Sequence, residues 1–243
     1  MAFEVDLSGR AALVTGGSRG IGRAIALALA ECGAAVGVNF RSRDEEAEAV
    51  VAAIRAEGGR AIALRADVSV AAKVADLAQL AARDLGPVDI LVNNAGVALA
   101  DAGEESFDRT IATNLKSAYL CIEAFLPGMR ARRFGRIVNV SSVAARGAGA
   151  IGVAYNASKA GLEGLTRGYA ARVALDGVTV NAVAPGPTDT DMGEPLKAAG
   201  VVARIPLGRM GEPEDVAQAT VLVIANGFIT GQTIAVNGGL AFV

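Results

Sequence analysis

The chain has 243 residues, of which 52% are hydrophobic, with a net charge of −2 and neither histidine nor tryptophan. This length suits one large α/β domain with a full core, and the small net charge argues against nucleic acid or an anionic membrane as partners. Without histidine, the separated cysteines Cys32 and Cys121 argue against a zinc or other metal site. The acidic N-terminus and the shortness of the most apolar helical stretch predict a cytoplasmic protein without a signal peptide or membrane span.

Seven short runs rich in Val, Ile and Leu alternate with longer segments of helical period. The runs are apolar on both faces, as expected for parallel strands that helices cover on each side. This alternation predicts a doubly wound parallel sheet in a three-layer, Rossmann-like α/β/α domain that spans residues 1–243. The predicted strands are Ala11–Thr15, Ala35–Asn39, Ala61–Arg65, Asp89–Val92, Arg136–Val140, Val178–Val183 and Thr233–Val236.

A glycine-rich turn follows the first predicted strand directly and leads into a helix over Arg23–Glu31. Its glycines let the backbone approach a pyrophosphate, and the helix N-terminus offers N–H groups and positive potential. The spacing is G-x-x-x-G-x-G rather than the strict dinucleotide fingerprint, so an ordinary strand–helix turn is the alternative. The preceding strand and following helix favour a nucleotide site, with contacts at Gly16, Ser18, Arg19, Gly20, Ile21 and Gly22.

The end of the second predicted strand indicates which nucleotide binds. NAD sites usually place an acid there to hold the ribose 2′-OH, but the sequence from Val38 to Arg43 contains none. Arg41, with Ser42 beside it and Arg19 from the glycine turn, can instead pair with a 2′-phosphate. The sequence therefore predicts NADP(H) as the cofactor.

Tyr155 and Lys159 are four residues apart, and Ser142 lies thirteen residues before Tyr155. On a helix this spacing places the phenol and the ammonium on one face, where a cation lowers a phenol pKa from its ordinary value of about 10. Because the chain lacks histidine, this pair is the candidate for proton transfer at neutral pH. The pattern also occurs on ordinary solvated helices, and Ser141 competes with Ser142 as the facing hydroxyl.

A long stretch from Pro185 to Pro213 follows the sixth predicted strand and is rich in proline and glycine. We expect residues 186–212 to form an irregular substrate lid, since long loops in compact domains usually bind ligands. A flexible insertion is the alternative.

Further short motifs occur in a fixed order along the chain. They are Asp67-Val68, Asn93-Asn94-Ala95-Gly96, Asn114, Pro185-Gly186 and the terminal Ile229-Thr230-Gly231-Gln232 with Asn237-Gly238-Gly239. Together with the glycine turn, Ser142, Tyr155 and Lys159, they resemble the short-chain dehydrogenase/reductase family nearly from end to end, and within it the 3-oxoacyl-[acyl-carrier-protein] reductases.

The resemblance implies how the cofactor is held. It places the adenine beside Asp67 and Val68, and the adenine ribose under Asn93, Ala95 and Gly96. Tyr155 and Lys159 would contact the nicotinamide ribose. The nicotinamide itself would lie against Pro185, Gly186, the backbone of Thr188 and the hydroxyl of Thr190.

The resemblance also implies the reduction of a ketone to a secondary alcohol with NADPH. Ser142 would hydrogen-bond the carbonyl oxygen and Tyr155 would donate the proton. Lys159 would depress the pKa of Tyr155, and Asn114 would anchor a water-mediated proton relay to Lys159. From its residue type alone, Asn114 could equally be a mid-helix residue or an N-cap.

The substrate is less defined. A 3-oxoacyl thioester is expected, with a broad carbonyl reductase or alcohol dehydrogenase for small ketones as the alternative and a non-catalytic NADP-binding regulator as a remote one. Arg132, Arg133 and Arg136 could dock an acidic acyl-carrier protein, but Asp176 occupies the family's second docking-arginine position and would repel it. Pro187 replaces an aromatic residue of the family's substrate wall. The resemblance further implies a homotetramer.

Overall fold

The computed structural model describes residues 5–147 and 149–242. Its centre is a seven-stranded, fully parallel sheet in the order β3-β2-β1-β4-β5-β6-β7. All seven predicted strands are confirmed, with ends that differ by up to two residues. They are β1 (Ala11–Val14), β2 (Ala35–Phe40), β3 (Ala61–Arg65), β4 (Val88–Asn93), β5 (Gly135–Val140), β6 (Val178–Pro185) and β7 (Thr233–Val236).

Helices cover both faces of the sheet, which confirms the three-layer, Rossmann-like architecture. They are α1 (Gly20–Glu31), α2 (Asp44–Ala56), α3 (Ala71–Asp84), α4 (Glu104–Ile111), α5 (Ser117–Ala131), α6 (Val153–Val173), α7 (Glu194–Ala198) and α8 (Pro213–Ala225). A π-helical turn over Ala112–Lys116 joins α4 to α5. Within the described ranges, no helix combines the length and hydropathy that crossing a membrane requires.

Side-chain alternation along the strands builds one apolar core on each face of the sheet. In β1, Ala12 and Val14 pack with α1, α2 and α8, whereas Leu13 between them packs with α3, α5 and α6. This is the period of two that a strand imposes. Both faces are therefore buried, which explains why the strand sequences are apolar throughout.

The parallel arrangement gathers the loops that follow the strands at a single edge of the sheet. β1 lies between β2 and β4, so the chain leaves β1 towards one side and later returns to its other side at β4. In open α/β sheets, ligands bind in the crevice at such a reversal, outside the carboxyl ends of the strands.

The segment 186–212 is more ordered than the sequence predicts. It contains α7, a 3₁₀ turn over Val201–Arg204 and a parallel bridge between Thr188 and Gly211. The segment is thus a long loop that contains short helical elements, which are too short to give a periodic sequence pattern. Its role as a lid stays a prediction.

Candidate active site

The glycine turn after β1 depends on the small size of its glycines. Gly16 and Gly20 have φ values of 62° and 51°, in the left-handed region that favours glycine. A Cβ on Gly22 would lie 2.3 Å from the carbonyl oxygen of Gly16 and 2.4 Å from Nδ2 of Asn94. The turn therefore packs directly onto the N-terminus of α1, whose first residues have no side-chain cap. This leaves N–H groups of the first helical turn for an anionic ligand.

Asn94 and Thr15 hold this turn against the end of β4. Asn94 Nδ2 donates to the carbonyl oxygens of Thr15 and Gly16, both at 3.0 Å. In return, Thr15 Oγ1 accepts from the backbone N–H groups of Asn94 and Ala95, both at 3.0 Å. The sequence analysis missed Asn94 as a functional residue. An amide side chain at the end of the strand that borders the glycine turn was the signal that could have found it.

Of the predicted contacts to the adenosine half of the cofactor, Asn93 and Val68 have buried side chains, whereas Asp67 is partly exposed. Asn93 Nδ2 donates to Oδ1 of Asn139 on β5 at 2.9 Å, so only the backbone of Asn93 is placed to meet a ligand. Val68 is 6% exposed and belongs to the core. Asp67 Oδ1 accepts from the N–H of Ser69 at 3.0 Å and from its hydroxyl at 2.6 Å.

The two arginines that we expect at a 2′-phosphate pair with different carboxylates. Arg41, directly after β2, has its Nη1 3.9 Å from Asp67 Oδ2, and its side chain is half exposed. Arg19 pairs with Asp191 of the segment after β6. Ser42 beside Arg41 is exposed. Because these arginines lie on the surface, an anion can reach both without displacing core residues.

Ser142, Tyr155 and Lys159 come together as the sequence predicts. Ser142 follows β5, and its hydroxyl lies near the phenol of Tyr155 on α6, close enough for hydrogen bonding to lower the pKa of Tyr155. One helical turn later, Lys159 Nζ lies 5.7 Å from the centroid of the Tyr155 ring and donates to the carbonyl oxygen of Val140 at 2.7 Å. A hydroxyl, a phenol and an ammonium therefore line one corner of the cleft.

The electrostatics of this corner differ from the expectation. Burial raises the pKa of Tyr155, and the hydrogen bond with Ser142 acts in the opposite direction. Burial also lowers the pKa of Lys159 to about 8. No lowering of the Tyr155 pKa by Lys159 is found, because Lys159, with a pKa of about 8, loses its charge before a phenol with a raised pKa titrates. The phenol is therefore held in its protonated form.

Ser141 and Ser142 differ in their burial and in the groups that their hydroxyls contact. Ser141 is 3% exposed, and its hydroxyl contacts the backbone oxygen of Lys159 at 3.2 Å and Glu163 Oε1 at 3.5 Å. Ser142 is half-buried and faces Tyr155. Ser142 is therefore the more accessible of the two hydroxyls, and its catalytic role stays a prediction.

Asn114 joins the loop after β4 to α6. Its Oδ1 accepts from the N–H of Val97 at 2.7 Å, and its Nδ2 donates to the Val97 oxygen at 2.9 Å and the Ser158 hydroxyl at 3.2 Å. A Cβ on Gly96 would lie 3.3 Å from Asn114 Oδ1 and 3.7 Å from Lys159 Nζ. Asn114 is therefore no N-cap; it lies in the π-helical turn, a distortion frequent at functional sites.

The segment after β6 closes over the glycine turn. A Cβ on Gly20 would lie 3.2 Å from Cγ2 of Thr190. Thr188 is buried and donates to the carbonyl oxygen of Gly186 at 3.0 Å, while the N–H of Gly186 donates to Val236 on β7 at 2.8 Å. The structure thus brings the predicted nicotinamide contacts to the same edge of the sheet as the other candidate residues.

Comparison with known proteins identifies the family. A family model described as short chain dehydrogenase matches residues 10–200. The chain is 43% identical over 244 residues to 3-oxoacyl-[acyl-carrier-protein] reductase FabG of Staphylococcus aureus, covering 95% of this chain and 98% of that one. It is also 43% identical over 244 residues to acetoacetyl-CoA reductase of Rhizobium meliloti, covering 96% and 99%.

A solved structure of 7 alpha-hydroxysteroid dehydrogenase, complexed with NADH and 7-oxo glycochenodeoxycholic acid, superimposes with a TM-score of 0.91. It is 32% identical and covers 97% of this chain and 96% of its own. Fold, site and relatives together define an oxidoreductase that acts on CH–OH and C=O groups. The chain belongs to the short-chain dehydrogenase family, which confirms the resemblance seen in its motifs.

The lowered pKa of Lys159 predicts a specific dependence of stability on pH. The folded pKa is about 8 against an ordinary value of 10.5, so the unfolded chain binds this proton more tightly than the folded chain does. The contribution of Lys159 to the free energy of unfolding is therefore lowest below pH 8 and rises as the pH increases from 8 to 10.5. We expect the free energy of unfolding of wild type, minus that of Lys159→Met, to increase by on the order of 3 kcal/mol as the pH rises across this window.

Urea unfolding from about pH 7 to about pH 10.5 measures this difference. Lys73→Met, which removes an exposed lysine on α3, is the control and should give no comparable trend. A wild type minus Lys159→Met difference that stays flat with pH would contradict the burial of a titrating ammonium.

Proposed function

We propose that this chain reduces the ketone of a 3-oxoacyl thioester to a secondary alcohol, with NADP(H) as the cofactor. The observation that carries the proposal is the grouping of Ser142 and Tyr155 with the buried Lys159, whose Nζ lies 5.7 Å from the centroid of the Tyr155 ring. The names of the relatives, a 3-oxoacyl-[acyl-carrier-protein] reductase and an acetoacetyl-CoA reductase, support this substrate class.

The residues at the sheet edge fit a dinucleotide. The turn at Gly16, Gly20 and Gly22 is a cradle that a single added Cβ would fill, and its helix N-terminus suits a pyrophosphate. When bound, the nicotinamide supplies or accepts the hydride. The residues that would hold the cofactor are Gly16, Ser18, Arg19, Gly20, Ile21, Gly22, Arg41, Ser42, Asp67, Val68, Asn93, Ala95, Gly96, Tyr155, Lys159, Pro185, Gly186, Thr188 and Thr190.

Ser142 and Tyr155 would carry out the remaining steps of the ketone reduction. Ser142 donates a hydrogen bond to the carbonyl oxygen as negative charge develops there. Tyr155 transfers its proton to the same oxygen, and the burial that raises its pKa keeps the phenol protonated at neutral pH for this step. Lys159 and Asn114, which approach each other across Gly96, would then relay a replacement proton through water.

Tyr155→Phe tests the acid role while preserving the ring. We expect kcat for reduction of acetoacetyl-CoA to fall by about 10²–10⁴-fold, since this is the usual contribution of a general acid, whereas NADPH binding measured by fluorescence weakens far less, because Tyr155 is one of many cofactor contacts. Tyr119→Phe alters a tyrosine that is 46% exposed on α5 and should leave kcat unchanged. Near-wild-type turnover of Tyr155→Phe would refute the assignment.

The same assay separates the candidate functions. Faster NADPH oxidation with an acetoacetyl thioester than with simple aryl and alkyl ketones supports the thioester reductase, and the reverse order supports a broad carbonyl reductase. No oxidation with any ketone would favour a non-catalytic NADP-binding regulator, against which the complete Ser142–Tyr155–Lys159 group argues.

The preference for NADP(H) over NAD(H) rests on the end of β2, where Arg41 stands in place of an acid. We expect Arg41→Ala to lower kcat/KM with NADPH by roughly 10–100-fold, because hydrogen bonds to charged groups contribute about 1.5–3 kcal/mol, and to leave kcat/KM with NADH unchanged. Arg43→Ala is the matched control, since Arg43 is exposed and pairs with Glu46 on the surface at 2.7 Å. Equal or higher wild-type efficiency with NADH would overturn the preference.

The expected docking site for an acyl-carrier protein does not lie at the mouth of the cleft. Arg132 and Arg133 precede β5 and Asp176 precedes β6, so they lie at the opposite edge of the sheet from Ser142, roughly 20 Å away along a six-residue strand. The sequence could have shown this, because residues that precede parallel strands share one edge. Docking there would not bring a carrier directly to Ser142 of the same chain.

Contacts within the protein also occupy part of that basic cluster. Arg132 pairs with Asp89 at 3.3 Å, and Arg136 donates to the carbonyl oxygen of Ile224 at 3.0 Å. The carboxylate of Asp176 pairs with Arg130 at 2.7 Å, which offsets its charge. We therefore favour a CoA-type thioester as substrate over an acyl-carrier protein. We also propose that the protein forms a homotetramer and is located in the cytoplasm.

A further inference from the structure

Three charged side chains are buried within the described ranges, and two of them have no role in the mechanism above. Asp89, Lys159 and Glu163 are 7%, 5% and 4% exposed. Asp89 lies at the start of β4, far from the cleft, whereas Glu163 follows Lys159 by four residues on α6. That spacing continues the helix face that carries Tyr155 and Lys159. Glu163 is therefore a buried acid next to the catalytic group.

The carboxylate of Glu163 contacts the chain on both sides of Ser142. Its Oε2 accepts from Arg146 Nε at 2.9 Å, and its Oε1 lies 3.5 Å from the Ser141 hydroxyl, whose one proton is shared with the closer backbone oxygen of Lys159 at 3.2 Å. Arg167, one turn further along α6, comes within 4.0 Å of Oε2. A single side chain thus holds both the residue before Ser142 and the residue at the end of the turn that follows it.

The segment that carries Ser142 packs on α6, where Ala144 is buried and Asn156 Nδ2 donates to the carbonyl oxygen of Gly147 at 3.3 Å, but it has few other polar contacts outside its own turn. The ladder between β5 and β6 ends where the N–H of Ser141 donates to the Val183 oxygen at 2.7 Å. Beyond that point, Ser142 caps a single 3₁₀ turn over Val143–Ala145 by accepting from the N–H of Ala144 at 3.2 Å. A short turn of this kind can shift as a unit unless another element fixes it.

A buried carboxylate is well suited to fix such a turn. Its charge is costly to bury unless it is paired and hydrogen-bonded, so alternative positions of Arg146 that leave Glu163 unpaired are disfavoured. The charge-assisted bond to Arg146 is also stronger and more directional than a neutral one. The position of the turn is thereby coupled to α6, the helix that holds Tyr155.

We propose that Glu163 is a positioning residue that aligns the Ser142 hydroxyl with Tyr155, chiefly by holding Arg146 after it and with a weaker contact to Ser141 before it. This inference rests on the proposed function, in which Ser142 donates a hydrogen bond to the substrate carbonyl. A misplacement of about 1 Å at a catalytic group can cost about 10²-fold in rate. The effect should therefore appear in kcat rather than in cofactor binding.

Glu163→Gln, which keeps the shape and removes the charge, and Arg146→Gln, which changes the exposed partner, test the inference. We expect each to lower kcat for acetoacetyl-CoA by roughly 10–100-fold, with the KM for NADPH unchanged. The double variant should fall no further than the stronger single variant, because both remove one interaction. Asp89→Asn is the matched control: it unpairs another buried acid, so it should lower the unfolding temperature and leave kcat unchanged.

The background of Ser142→Ala distinguishes positioning from a general structural effect. With no hydroxyl left to align, adding Glu163→Gln should not lower the residual kcat further. An additional loss equal to that seen in the wild-type background would overturn the inference, as would a Glu163→Gln variant with wild-type kcat. If wild type reduces no ketone and is as inactive as Tyr155→Phe, the proposed function is wrong, which is a different outcome from a failure of the role of Glu163. If a Glu163 variant does not fold, Arg146→Gln still tests the proposal, because it changes an exposed residue.

Discussion

The buried Lys159 side chain is the constraint on which the catalytic half of the molecule depends. Its ammonium donates to the Val140 oxygen at 2.7 Å, and its backbone oxygen accepts from the Ser141 hydroxyl at 3.2 Å. One residue of α6 therefore contacts two successive residues at the end of β5. Because an unpaired ammonium in this setting is strongly disfavoured, helix and strand cannot slide past each other. Tyr155 lies one helical turn before Lys159, and Ser142 directly follows Ser141. These contacts therefore set the distance between the phenol and the Ser142 hydroxyl.

The loop after β4 joins this half to the nucleotide half. Asn94 holds the glycine turn by two bonds of 3.0 Å, and three residues later Val97 is held by both ends of the Asn114 amide. Gly96 lies between them, where a Cβ would crowd Asn114 and Lys159. A shift of the glycine turn is therefore transmitted to the proton-transfer group through only four residues. The site behaves as one unit because β4 ends at the point where the strand order reverses.

Strand positions and the catalytic triplet could be predicted from the sequence, because both depend on local spacing. Two-sided apolar runs specify buried parallel strands, and the thirteen residues between Ser142 and Tyr155 separated Ser142 from Ser141. The direction of buried amides could not be predicted: whether Asn93 faces the cleft or β5 depends on which strand lies beside β4 and in which register. The contacts of Glu163 could not be predicted for the same reason, since Arg146 reaches Glu163 only once β5 and α6 have packed together.

The polar interior of the site is stabilised by its apolar surroundings. Asn93, Asn139 and Thr166 form a buried line from β4 through β5 to α6, with bonds of 2.9 Å, yet Oδ1 of Asn93 has no partner within the described residues. An unsatisfied polar group costs about 1–3 kcal/mol. Each fully buried Leu or Ile contributes about 1.5–3 kcal/mol, and Leu91 and Ile137, at 0% and 1% exposure, lie in the same two strands. The line can run through the central strands because burial on both faces offsets its cost there, whereas the partly exposed β7 at the edge of the sheet could not support it.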